Sequence, residues 1–214
     1  MPGSSNGVKF AVPLWTVDLR GLPGGGPPLL GEPVPLELGN TLYSIRRRLY
    51  DGVQTDEQLA AWLCAMRPRL SAVLTDSDLA DVTEGHLTAA REIRQAVRLL
   101  TAATVDGVPL DAELVGTLNH HAGQVPRWRE LRLKPRPRLV VRGAGEPVGV
   151  VLAVLAEEAL VLFAGPGEQQ LCACPGPGCV LFFVRDHPHR QWCSASCGNR
   201  ARAARYYART RGTR

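Results

Sequence analysis

The sequence predicts a mainly α-helical protein with minor β structure, an α+β fold in which a helical N-terminal domain precedes a small cysteine-rich unit. Three observations support this prediction. Apolar residues recur at helical spacing through most of the first 165 residues, one proline-broken stretch alternates as strands do, and five of six cysteines lie between positions 172 and 197. At 214 residues, the chain is long enough for one core and a small appendage.

Residues 1–35 are predicted to form an N-terminal extension. Residues 1–8 are expected to be disordered, and residues 10–19 fit a strand. Residues 21–35 contain a Pro-Gly-Gly-Gly-Pro-Pro run with no periodicity that could pack, which predicts a loop.

Residues 36–166 are expected to form the helical domain. In its first segment, up to residue 49, apolar residues recur at intervals that fit one helical face, although a short strand before Asn40 also fits. These apolar residues are Leu36, Leu38, Leu42, Ile45 and Leu49.

Two further helices are predicted from their caps and apolar spacing. Thr55 and Gln58 form a capping box, in which each side chain can satisfy the other residue's free backbone N–H, at the start of a helix to about residue 66. A longer helix should cover about residues 83–103, where apolar residues follow a spacing of three and four.

The second half of the domain is predicted to contain a helix, a hairpin and a core helix. Asp111 can cap a helix that runs to about residue 122. Residues 128–141 alternate as two strands, and their prolines confine this hairpin to a sheet edge. Pro147 suits a first helical turn, and residues 150–163 are apolar on nearly every face, which predicts a central helix.

Several protein classes are disfavoured by what the chain lacks. No stretch approaches the ~20 uninterrupted apolar residues of a membrane span, and no short apolar block with a cleavage site follows the start. We therefore expect a soluble, cytoplasmic protein with no membrane partner. Cys64 stands alone while the other cysteines crowd together, which favours a metal in a reducing compartment over a disulfide framework.

Two cysteine pairs carry the clearest chemical signal. Cys174 and Cys179 are spaced Cys-x4-Cys, Cys193 and Cys197 are spaced Cys-x3-Cys, and thirteen residues separate the pairs. Four thiolates at about 2.3 Å suit Zn²⁺, which adopts a tetrahedron wherever the backbone brings two pairs together. The Pro-Gly turn favours Cys174 as a ligand, but Cys172 faces the same way in an extended segment and could replace it.

These cysteines could instead be free buried thiols, form a disulfide or bind a catalytic zinc ion. A structural zinc ion is favoured, because so short a segment cannot build its own core and generally needs a cross-link. A catalytic zinc site usually keeps an open coordination position. His187 or His189 could displace a cysteine, although both lie beside a proline at a predicted hairpin tip. That hairpin pairs residues 180–184 with residues 190–192 and precedes a helix, the layout of a treble-clef-like finger.

The C-terminus is strongly basic. From position 185 onward there are eight arginines and one acidic residue. A cationic helix clamped by a metal is suited to DNA phosphates, because each neutralised phosphate releases counterions; the alternative is a solvated helix that aids solubility. The residues predicted to contact DNA are Arg190, Arg200, Arg202, Arg205, Tyr206 and Arg209.

The C-terminal motif resembles a known finger. Residues 190–200 spell Arg-Gln-Trp-Cys-Ser-Ala-Ser-Cys-Gly-Asn-Arg and precede a basic helix, which is similar to the CGNR zinc finger. That family usually spaces its first ligand pair Cys-x4-Cys, as between Cys174 and Cys179. The tip at residues 185–189 departs from the family's usual Asp- and Ser/Arg-rich tip. Residues 170–214 are therefore expected to form this finger.

The upstream part resembles the ABATE domain, the usual partner of that finger, which is associated with stress-induced transcription regulation. The likeness is carried by Leu38-Gly-Asn-Thr41, Asp56-Glu-Gln-Leu-Ala-Ala-Trp-Leu63, Ile93-Arg-Gln-Ala-Val-Arg98 and Leu118-Asn119. The resemblance implies a zinc-dependent, DNA-binding transcription regulator of bacterial type, associated with the nucleoid. A Gly-Pro insertion near residue 25 departs from the family pattern.

Three polar residues lie in apolar helical patterns of the first domain. Asn40, Arg94 and Asn119 can either satisfy one another in the core or line a pocket for a small effector. The domain is therefore expected to sense a ligand or to mediate formation of a homodimer. We find no catalytic triad order, P-loop or dinucleotide fingerprint, and predict no enzyme. The alternative is a metabolite-binding or enzymatic domain with a finger that docks protein or RNA.

Overall fold

The structure is a computed structural model that describes residues 19–165 and 170–211. The strand predicted for residues 10–19 lies outside this part, except for its last residue. The helices are α1 (Val34–Gly39), α2 (Asp56–Met66), α3 (Asp76–Ala80), α4 (Glu84–Asp106), α5 (Ala112–Gly123), α6 (Pro147–Ala164) and α7 (Ala195–Arg211). The strands are β1 (Leu42–Ile45), β2 (Arg48–Asp51), β3 (Arg127–Arg132), β4 (Arg138–Gly143), β5 (Gln170–Ala173) and β6 (Phe182–Arg185).

The described strands form three separate antiparallel pairs, β1 with β2, β3 with β4, and β5 with β6. Helices account for most of the regular structure, which confirms the predicted mainly α fold with minor β structure. The hairpin predicted for residues 128–141 is confirmed as β3 and β4, with Leu131 opposite Leu139.

The predicted helix starts are set by local capping. The Thr55 hydroxyl accepts a hydrogen bond from the backbone N–H of Gln58 at 3.3 Å. The Gln58 side chain accepts from the N–H of Gln54 at 2.6 Å, one residue earlier than predicted. Thr83 caps α4 and Asp111 caps α5 in the same manner, so the starts of three predicted helices are confirmed.

Helix α6 is the centre of the main core. It packs against α1, α4 and α5, and Pro147 occupies its first turn as predicted. Ala156 and Ala159 are fully buried, and their small side chains allow the neighbouring helices to approach closely. By length and composition α6 could cross a membrane, but 56% of it is buried inside the fold, as expected for a core helix.

The single helix predicted through residue 49 is wrong beyond Gly39. Helix α1 ends there, and the chain forms the β1–β2 hairpin, which turns at Arg46 and Arg47 with φ angles of 50° and 69°. The hairpin buries Tyr43 and stacks it on Tyr50, with ring centroids 5.9 Å apart. The leucine spacing fits a helix, but Tyr43 packs in a cluster with residues of the finger, a contact that local spacing does not show.

The hairpin predicted between residues 180–184 and 190–192 is also wrong. Strand β6 pairs with β5, which carries Cys172, and not with the segment after the tip. The chain does turn at residues 186–190. The Arg190 side chain, and not its backbone, then donates a hydrogen bond to the Val184 carbonyl at 3.0 Å. The two strands that flank the first cysteine pair therefore form the finger's sheet.

The sequence interpretation missed α3. Its start is a capping box in which the Thr75 hydroxyl accepts from the Asp78 N–H at 3.2 Å and the Asp78 carboxylate accepts from the Thr75 N–H at 2.6 Å. The Thr-x-x-Asp spacing was a usable signal, but five residues are too few to show a helical apolar period.

The finger is joined to the helical domain through the free edge of β6. The Asn40 side chain, fully buried, donates to the Phe182 carbonyl and accepts from the Phe182 N–H, each at 2.9 Å. Two residues further along the same edge, the Glu32 carboxylate accepts from the Val184 N–H at 2.8 Å. Side chains of the helical domain thus take the place of a third strand.

Replacing Asn40 with alanine tests this joint. Asn40→Ala leaves a buried N–H and a buried carbonyl of Phe182 without partners, so we expect a loss of about 2–4 kcal/mol in the free energy of unfolding. Urea unfolding followed by circular dichroism measures it. The control is Asn119→Ala on the exposed face of α5, expected to change stability by less than about 0.5 kcal/mol. Equal losses in the two variants would contradict the assignment.

Candidate metal centre and basic helix

Four cysteines converge between the β5–β6 pair and α7. Cys174 follows β5 directly, Cys179 ends the turn that leads to β6, Cys193 precedes α7, and Cys197 lies in the first turn of that helix. Their sulfur atoms all lie within 4.8 Å of one another, a grouping that can hold a metal ion.

The distances between these sulfurs fit a tetrahedral metal site. The Sγ–Sγ distances are 3.8 Å for Cys179 and Cys193, 3.4 Å for Cys193 and Cys197, and 3.7 Å for Cys197 and Cys179. Four metal–sulfur bonds of about 2.3 Å place tetrahedral ligands about 3.8 Å apart. A disulfide requires about 2.05 Å, so these cysteines are free thiols arranged as a ligand set.

The charges of the sulfurs also favour a cation at their centre. Hydrogen bonds from the thiols of Cys179 and Cys193 lower the pKa of Cys174 to about 2. The same hydrogen bonds raise the pKa of Cys179 to about 12 and raise the pKa of Cys193 as well. Thiolates at this spacing repel one another, so a cation at the centre of the group would stabilise their ionised forms.

The turn between the first two cysteines is built for close approach. Gly176 lies against the sulfurs, where a Cβ atom would stand 3.3 Å from the Cys197 Sγ and 3.4 Å from the Cys174 Sγ. Gly178 has a φ of 70°, a conformation that favours glycine. The backbone N–H of Cys193 points at the Cys174 sulfur at 3.4 Å, so a thiolate there is stabilised by the protein.

The structure also places the residues that were alternatives to these cysteines. The Cys172 thiol lies 3.5 Å from the Gln170 carbonyl and is outside the sulfur group. His187 and His189 are exposed at the tip between β6 and α7, and neither belongs to the group. The geometry therefore selects Cys174 over Cys172.

The Cys-Gly-Asn-Arg motif organises the start of α7. A Cβ atom at Gly198 would lie 3.2 Å from the Trp192 ring, so the glycine allows the ring to pack on the helix. Asn199 accepts a hydrogen bond from Arg202, whose guanidinium also lies 6.0 Å from the centre of the Trp192 ring. Arg200 donates to the Cys197 sulfur at 2.9 Å, a contact that raises the pKa of Arg200 against the opposing effect of burial.

Helix α7 presents most of its basic side chains to solvent. Its sequence contains five arginines and no acidic residue. Arg202, Arg205 and Arg209 line one shallow groove, and the side chain of Tyr206 beside them is 59% exposed. Four of the six residues predicted to contact DNA therefore share an accessible part of one helix, while Arg200 is turned towards the sulfurs.

The placement of Arg190 contradicts its predicted contact with DNA. Its guanidinium bonds to the buried Glu32 carboxylate and to the Val184 carbonyl, and it lies 5.1 Å from the centre of the Phe183 ring. Only 19% of its side chain is exposed. Arg190 is an internal link between the finger and the helical domain.

The three residues predicted to form an effector pocket do not come together. Asn40 is bonded to β6, and Arg94 forms a two-bond ion pair with Asp51 at 2.5 and 2.8 Å. Asn119 is exposed on α5. They do not satisfy one another either: the buried Asn40 and Arg94 are hydrogen-bonded within the fold, but to Phe182 and to Asp51.

Two residues of the joint were missed by sequence reasoning. Glu32 is 1% exposed and holds Val184 and Arg190 of the finger. Arg98 donates to the carbonyls of Gly39 at 2.9 Å and Val180 at 3.2 Å, and burial lowers its pKa. Glu32 lies in a Gly/Pro-rich segment without periodicity, so no sequence signal marked it; Arg98 was visible only within the family-like run of residues 93–98.

Comparison with known families confirms both resemblances in the predicted order. The family model ABATE, described as "Putative stress-induced transcription regulator", matches residues 32–166. The CGNR zinc finger model matches residues 170–210. No curated protein matches the chain significantly. Neither matched family is a family of enzymes.

Substituting neighbouring cysteines separates the two candidates for the first ligand. We expect purified protein to carry about one metal ion per chain, because four thiolates complete one tetrahedral site. Cys174→Ser should lose most of this metal, whereas Cys172→Ser should keep it. Elemental analysis of both variants measures the metal content. Retention in Cys174→Ser together with loss in Cys172→Ser would contradict the geometry.

Proposed function

This chain belongs to the ABATE family and carries a CGNR zinc finger, and from that premise we propose that it is a DNA-binding transcription regulator. The observation that carries the proposal is α7, a helix with five arginines and no acidic residue, fixed at its base by the cysteine group. The helical domain senses a ligand or mediates dimerisation. The protein acts in the cytoplasm, in association with the nucleoid.

Zinc is the metal that we assign to the four cysteines. Cys174, Cys179, Cys193 and Cys197 would hold it, and four thiolates without an open position make the site structural. The ion would cross-link the turn before β6 to the first turn of α7. Because the base of the helix is then ordered before DNA arrives, less conformational entropy is lost on binding.

The exposed face of α7 supplies the contacts. Arg202, Arg205 and Arg209 neutralise phosphates and release counterions, and Tyr206 adds a hydrogen-bonding and stacking group. Arg200 has a different role: its hydrogen bond to the Cys197 sulfur, within α7, would neutralise part of the thiolate charge of the metal site. A guanidinium can also read guanine edges in the major groove.

Neutralising two arginines of α7 tests DNA binding. The double variant Arg205→Ala/Arg209→Ala removes about two phosphate contacts, so the slope of log K against log salt should fall by about 1.8. Affinity near 0.1 M salt should fall at least tenfold. Fluorescence anisotropy of a labelled random-sequence duplex at several salt concentrations measures both quantities.

The matched control is Arg136→Ala/Arg138→Ala, at the β3–β4 loop and the first residue of β4, which removes the same charge from exposed positions far from α7 in sequence. We expect its DNA affinity to stay within about twofold of the unmodified protein. Equal losses in both double variants would mean that net charge, and not α7, is responsible. Failure of the unmodified protein to bind at low salt would remove the proposal, and tighter binding to RNA would redirect it.

A further inference from the structure

A cavity on the helical domain is lined by none of the three residues predicted as an effector site. It has a volume of about 710 Å³, within the usual range of about 300–1,000 Å³ for small-molecule sites. Helix α6, the β3–β4 hairpin and residues 33–35 enclose it. Three of its large apolar side chains remain more than half exposed to solvent: Trp128, Leu139 and Val161.

Two carboxylates of α6 line this cavity and differ in their partners. Glu157 is paired with Arg127 at 2.7 Å. Glu158 accepts one hydrogen bond, from the Ser71 hydroxyl at 3.0 Å, and the positive charge of Arg129 opposes an increase in its pKa. Burial among apolar side chains raises the pKa of Glu158. A carboxylate has about four acceptor sites, so Glu158 can accept further hydrogen bonds from a ligand.

We propose that this cavity binds a small apolar amine, with its ammonium group at Glu158 and its body against Trp128, Leu139 and Val161. An ammonium ion donates the further hydrogen bonds that the half-buried Glu158 carboxylate can accept, and such charge-assisted hydrogen bonds are stronger than neutral ones. The Trp128 ring adds a face on which a cation can rest. A carboxylate ligand is disfavoured, because Glu157 and Glu158 repel an anion and each already faces an arginine of the cavity wall. Arg127 is paired with Glu157, and Arg129 interacts electrostatically with Glu158.

Two residues of the cavity wall are close in sequence to residues that contact the finger or hold Glu32. Pro33 lines the cavity, and the residue before it is Glu32, whose carboxylate holds Val184 and Arg190 of the finger. A second wall residue, Ser71, lies two positions after Arg69, which donates to the Glu32 carbonyl. An amine that displaces these walls changes how the finger is held. This coupling rests on the proposed DNA-binding function; the amine site does not.

The test uses three probes that share a skeleton and differ in the head group: 4-phenylbutylamine, 4-phenylbutanol and 4-phenylbutyrate. Isothermal titration of the full chain should show that the amine binds at one site at least tenfold more tightly than the carboxylate. Glu158→Gln should weaken the amine at least tenfold, because a charged hydrogen bond is lost, and should leave the alcohol within about twofold.

A second variant tests whether the probes bind in this cavity. Val161 is 65% exposed at the cavity, so Val161→Trp should obstruct the apolar part of the cavity without unfolding the protein. It should abolish binding of all three probes while the melting temperature stays unchanged. No binding by any probe, equal affinities of amine and carboxylate, or an amine affinity that neither variant alters would overturn the site.

The coupling is measured separately. Saturating 4-phenylbutylamine should change the DNA affinity of the unmodified protein at least threefold and leave that of Val161→Trp unchanged. Bound amine without this change would overturn the coupling and leave the site intact. Because the titration contains no DNA, a failure of the protein to bind DNA contradicts the proposed function alone.

Discussion

The arrangement of the molecule depends on the unpaired edge of β6. A strand with one neighbour leaves backbone N–H and carbonyl groups on its other side, and buried groups of this kind need partners. Here side chains provide them: Asn40 serves both groups of Phe182, Glu32 accepts from the Val184 N–H, and Arg190 donates to the Val184 carbonyl. The finger is therefore held to the helical domain by hydrogen bonds from the side chains of Asn40 and Glu32 to the backbone of β6.

The same joint brings charge into the protein interior. Glu32 is almost completely buried, and burial raises its pKa although the Val184 N–H and Arg190 oppose the shift. Removing one partner of a buried ion pair is costly, because the remaining charge is left uncompensated. Arg98, which bonds Gly39 of the domain and Val180 of the finger, adds a second charged link. These contacts make the joint sensitive to small changes in backbone position.

The arginines of the finger fall into two groups. Arg190 is bonded to Glu32 of the helical domain, and Arg200 is bonded to the Cys197 sulfur. Arg205 and Arg209 lie further along α7, beyond the metal group, on the exposed surface. A count of arginines in the sequence does not separate the two groups. They are separated by whether the side chain contacts the sulfurs or the helical domain.

Features that arise from neighbours in the chain could be predicted from the sequence. Thr55, Thr83 and Asp111 cap helices through side-chain hydrogen bonds that span two or three residues, and the spacing of the cysteines placed the candidate metal site. The end of α1, the partner of β6 and the contacts of Arg190 depend instead on tertiary packing. Asn40 and Phe182 are 142 residues apart, and Glu32 and Arg190 are 158 apart. Local spacing carries no information about such pairs, because their hydrogen bonds exist only when both domains have packed together.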